Sequence, residues 1–186
     1  MARDQFVVFM RGAIVALPQS LKAALRVAED PDLPDECRAL VAGALVHWLS
    51  RTNTIPGVRG AALAYVDDVL VLLLAMERLT QMAPDAVTRL QGEAPELFET
   101  LTGDLEICRA YLGVGIKVLE QALERVVKLK HMGRTALQCV KDESSATMLY
   151  EEVHAALIDF DLESDAVGRE LKEIDPLVEE LRKRAH

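Results

Sequence analysis

The sequence predicts an all-α fold, a multi-helix bundle with a central apolar helix and a long amphipathic helix in its second half. Three observations carry that prediction. Apolar residues recur at spacings of three and four over most of the chain. No window alternates at period two, and the usual hairpin dipeptides are missing. Ala, Leu, Val, Glu and Arg dominate while aromatics make up only 4%, so the core is aliphatic and helix is favoured over sheet.

The elements follow in order. A first helix covers about Asp4 to Leu17 and stops at Pro18, because proline lacks the amide proton a helix interior needs. A second runs from Gln19 to Glu29 with Leu21, Ala24, Leu25 and Ala28 on one face. Asp30-Pro31-Asp32-Leu33-Pro34 is a turn, and Asp35 and Glu36 suit the positive end of the helix that follows to Ser50. Arg51 to Gly60 is a loop holding Pro56, Gly57 and Gly60. Ala61 to Met82 is hydrophobic nearly all round as far as Ala75, as a central buried helix must be. Pro84 restarts a short helix ending near Gly92.

In the second half Leu97, Leu101, Leu105, Cys108, Leu112, Ile116, Leu119, Leu123 and Val126 step by three or four residues. That stripe predicts one helix from about Pro95 to Lys130, with Gly103, Gly113 and Gly115 marking a bend or a close crossing. Shorter helices follow through Val140, from Ser144, and from Asp175-Pro176. The boundary falls between Met82 and Pro95, dividing the chain into 1–83 and 84–186, packed together as one globular unit.

Composition narrows the function. The net charge of −9 argues against nucleic acid as a partner, since such binders carry a basic footprint. The charge is uneven: Ile107–Lys141 holds two acids and seven bases, Asp142–His186 thirteen acids and five bases. Cys37, Cys108 and Cys139 are widely spaced in apolar contexts, which suggests buried thiols in a reducing compartment. With no secretory signal at the N-terminus, the expectation is a soluble cytoplasmic protein.

The most informative residues are Asp67 and Asp68, which head the run Val69-Leu70-Val71-Leu72-Leu73-Leu74-Ala75-Met76. Carboxylates beside such a run must be solvated, protonated or paired. The chain reads Ser50-Arg51-Thr52-Asn53-Thr54-Ile55-Pro56, then Ala64-Tyr65-Val66-Asp67-Asp68. From about Leu21 to Leu79 this resembles the YkvA-like family, bacterial helical domains of unknown function. Members carry Ser-Pro-x-Asp-x-Ile-Pro, a spacer, and Gly-Tyr-x-Asp-Asp before an apolar helix. Here Arg51, Asn53 and Ala64 replace the family's proline, first aspartate and glycine. The resemblance implies a helical fold and no particular activity, and Asn53 removes a charge that a cation site would use.

Neighbouring helical residues point about 100° apart, so Asp67 and Asp68 do not face one partner together. The expectation is a structural clamp: one carboxylate turns to the 53–60 loop and accepts backbone N–H groups or pairs with Arg51 or Arg59. The sharper reading is a cation or polar-ligand pocket of Asp67, Asp68, Asn53 and His47. No catalytic constellation, metal set or cofactor motif is expected. Asp159, Asp161, Glu163, Asp165 and Glu170 match calcium-loop positions, but Ser164 stands where the loop needs glycine. Glu151-x-x-His154 is half of a di-iron pattern without its other half. Arg125, Lys128, Lys130, His131 and Arg134 suit a helix C-terminus.

The function expected is that of a non-enzymatic helical protein acting through self-association or a protein partner, argued from the absence of catalytic motifs and from the apolar stripe of the 95–130 helix. The alternatives are a ligand-binding protein or enzyme at Asp67/Asp68, and peripheral attachment to a membrane surface.

Overall fold

Helix α1 covers Ala2–Glu29 without a break. A computed structural model describes residues 1–51, 54–55 and 60–185 of the chain. Pro18 sits inside α1, although proline in a helix interior costs about 3 kcal/mol. The expected stop at Leu17 is therefore wrong. Leu17 and Leu21, on either side of Pro18, are both buried in the same core, and that burial outweighs the local cost.

Helix α2 (Asp35–Leu49) is buried nearly continuously from Cys37 to Trp48. A 3-10 turn at Leu63–Tyr65 leads into α3 (Val66–Met82), so the central helix starts later than the expected Ala61. Helices α2 and α3 share the centre: α2 packs against α1, α3, α7 and α8, and α3 against α1, α6 and α7. Short helices α4 (Val87–Glu93) and α5 (Pro95–Phe98) follow.

The single helix expected over Pro95–Lys130 is divided. Helix α6 (Leu101–Leu112) ends at Gly113, whose φ of 57° lies in the left-handed region. A 3-10 turn then leads into α7 (Ile116–Val126). Gly103 is accommodated inside α6, whereas Gly113 and Gly115 mark the break. At Gly115 a Cβ would come within 3.1 Å of Leu181. The break preserves the stripe's burial, since every residue of it from Leu97 to Val126 is in the core. The stripe is thus an internal seam and offers no surface for association.

The chain also contains strand, contrary to expectation: β1 (Lys130–His131) pairs antiparallel with β2 (Arg134–Thr135). Met132 and Gly133 both have positive φ, as a two-residue hairpin turn of type I′ requires. Thr135 then caps α8 (Ala136–Lys141) with a capping box to Gln138. Helices α9 (Glu143–Ile158), α10 (Ser164–Glu170) and α11 (Asp175–Arg184) complete the order. Buried residues from both halves form one continuous core. Polar ties reinforce it: Arg3 donates twice to Asp175, Tyr111 donates to the same carboxylate, and Arg109 donates bidentately to Glu77.

By length and composition α1 is apolar enough to cross a membrane, yet a third of its most apolar window is buried in the fold.

Two glycines give opposite predictions. A Cβ at Gly43 would lie 2.9 Å from the Val126 backbone, where α2 meets α7, while a Cβ at Gly12 on α1 meets nothing within 4 Å. Gly43→Ala should lower unfolding free energy by about 1–3 kcal/mol through overpacking. Gly12→Ala should raise it by up to about 1 kcal/mol. Urea denaturation of the two variants checks both signs.

Candidate functional site

Asp67 and Asp68 occupy the first turn of α3, where unpaired backbone N–H groups and the helix dipole favour negative charge. The helical turn separates their partners. Asp67 is 1% exposed and accepts the Thr54 backbone N–H at 2.6 Å. Asp68 Oδ1 lies 2.9 Å from His47 Nδ1. His47, on α2 and 2% exposed, reaches Thr54 Oγ1 with its other nitrogen at 3.1 Å, and that nitrogen is 4.0 Å from Asp67 Oδ2. One imidazole therefore links both carboxylates to the loop. Ile55, 1% exposed, anchors the same loop by apolar burial.

Tautomer logic follows from these contacts. An ionised Asp68 only accepts, so the His47 Nδ1 carries a proton and donates. In the neutral ring Nε2 accepts from the Thr54 hydroxyl. In the charged ring Nε2 donates to it.

Burial and the neighbouring Asp68 charge push the Asp67 carboxyl up to about 7, against the opposing pull of the Thr54 N–H and His47. Burial likewise raises Asp68, and its bond to His47 works the other way. Asp67 and Asp68 are adjacent and buried, so their protons come off as a pair.

The predicted site residues are only partly brought together. His47, Asp67 and Asp68 form one network. Arg51 is exposed with φ 49° and makes no ion pair with either carboxylate among the described residues. It borders a cavity of about 320 Å³ with Asp68, Tyr65 and Trp48. Asp68 finds a hydrogen-bond partner in His47, because α2 packs directly on α3. Asn53 and Arg59 lie outside the described residues. Among those described, no group of three or more His, Cys, Asp or Glu is arranged to hold a metal ion.

Thr54 is the member that sequence reasoning missed, since a lone hydroxyl in a loop carries no spacing signal. Glu170 is another. From α10 it accepts the Ala62 N–H at 2.7 Å and approaches Leu63 N–H at 3.4 Å, so it satisfies the backbone leading into the 3-10 turn. Ser164 begins α10 and Glu170 ends it, so Asp165 and Glu170 of the calcium-like spacing lie on a helix and Asp159, Asp161 and Glu163 precede it. His154 contacts the Tyr150 carbonyl within its own helix.

Comparison with protein-family models, curated proteins and solved structures returns no match.

Two predictions follow. Asp67→Ala or Asp68→Ala strands a buried partner and should cost roughly 3–5 kcal/mol in denaturant unfolding. Asp67→Asn tests the proton. Because the folded state holds the Asp67 proton up to about 7 against 3.8 ordinarily, the wild-type contribution is greatest below about 4. It declines as pH rises through 7. The difference between Asp67→Asn and wild type should therefore move in favour of the variant from pH 5 to pH 8, by at most ~3 kcal/mol at ~1.4 kcal/mol per pH unit over the roughly two units between 5 and 7. A parallel pair of stability–pH curves would contradict the assignment.

Proposed function

We propose that this chain is a YkvA-like helical protein that acts without catalysis, by pairing with a second copy of itself through α1. The observation that carries the reading is the uncovered apolar face of that helix. Val8 is 73% exposed and Val15 38%, and Gly12 has open space where its side chain would be. Beside them an apolar groove of about 330 Å³ runs between α1, α3 and the α5–α6 segment, lined by Phe9, Ala16, Leu73 and Met76 among others.

Charge complementarity favours a second copy over an unrelated partner. In an antiparallel pair with Gly12 at the two-fold axis, Val8 of one copy faces Ala16 of the other. Asp4 and the other copy's Lys22 then lie on the same flank, about 3 Å apart along the axis at 1.5 Å per residue. Both side chains are exposed, and Lys22 has no ion pair among the described residues. The small side of α1 at Gly12 lets two helix backbones approach closely, while Val8 of each copy enters the groove of the other. The buried carboxylates then serve as the clamp that holds the 54–55 segment on α2 and α3.

Light scattering with size exclusion tests this reading. Wild type should be a dimer at micromolar concentration. Gly12→Leu and Val8→Asp should both be monomers with unchanged circular dichroism, Gly12→Leu being no less stable than wild type to denaturant. A wild-type monomer overturns the reading, and if that monomer co-sediments with anionic liposomes the α1 face is a membrane surface instead.

A further inference from the structure

None of the residues around a second cleft belongs to α1. This cleft, of about 450 Å³, lies between α2, α7 and α11 and is bordered by His47, Thr54, Val118, Gln121, Arg125 and Arg184. Its volume falls in the range usual for small-molecule sites. In a chain of net charge −9 its wall contains, among the described residues, two arginines and no carboxylate. Arg184 shares its guanidinium with Glu180 on its own helix at 2.9 Å. Arg125 is exposed and has no ion pair among the described residues. Val118, Ala122 and Leu129 add apolar side chains to the wall.

We propose that this cleft binds a small organic acid with an apolar body, its anionic end held by Arg125 and Arg184 above the Thr54 hydroxyl. Guanidinium groups match a carboxylate in both charge and fork geometry, and the aliphatic wall takes the remainder of the molecule. The site is independent of pairing through α1, and a monomeric protein would retain it.

Isothermal calorimetry with octanoate, octanol and inorganic phosphate tests the site on the full chain. Octanoate should bind wild type at least tenfold more tightly than either octanol or phosphate. Arg125→Gln, a change at an exposed side chain, should lose at least tenfold in octanoate affinity. Octanoate binding that is absent at millimolar concentration, matched by octanol or phosphate, or unchanged in Arg125→Gln would overturn the proposal.

Discussion

The structure depends on solving one electrostatic problem: two adjacent carboxylates sit at the head of an apolar helix in the middle of the core. Ionised and unpaired, such groups would cost many kcal/mol. The first turn of α3 offers partial relief through its dipole, but the decisive partner is His47 of α2. It sits 2.9 Å from Asp68 and links through Thr54 to the loop that also binds Asp67. The arrangement fixes the axial register of α2 against α3, because sliding either helix by one turn would strand a buried charge.

The rest of the architecture follows from that pair of helices. Gly43 permits α7 to cross α2 closely, and the α6–α7 stripe closes over α3. Glu170, far away in sequence, reaches back to satisfy the Ala62 N–H as the chain enters α3. Burial by apolar contact supplies most of the stability of such a core. The polar network contributes less to net stability and more to uniqueness, since it is satisfied in one arrangement of the loop, α2 and α3.

Much of the helical order was legible in the sequence because period and breakers act locally. The boundaries at Asp35 and Asp175 are set by acids and prolines in the first turn. Pro18 misled because tertiary packing of Leu17 and Leu21 overrides a local penalty. The 95–130 stripe misled because its period says which face is buried and nothing about whether the axis is continuous. The chain breaks between Phe98 and Leu101 and again at Gly113, where φ is positive. The hairpin at Met132-Gly133 escaped notice because methionine seldom takes a left-handed conformation. At the candidate site, Asp67, Asp68 and His47 were legible as polar residues in apolar surroundings. The Thr54 hydroxyl, the cleft beside Arg125 and the pairing of His47 with Asp68 depend on long-range packing that no local pattern encodes.

The account stands or falls on whether His47 and Asp68 stabilise the fold through one another. A double-mutant cycle of His47→Ala and Asp68→Ala, measured by urea denaturation, isolates that interaction. A coupling of about 2–3 kcal/mol, each single change being nearly as damaging as both together, is the predicted result. Additivity of the two changes within about 0.5 kcal/mol would contradict it.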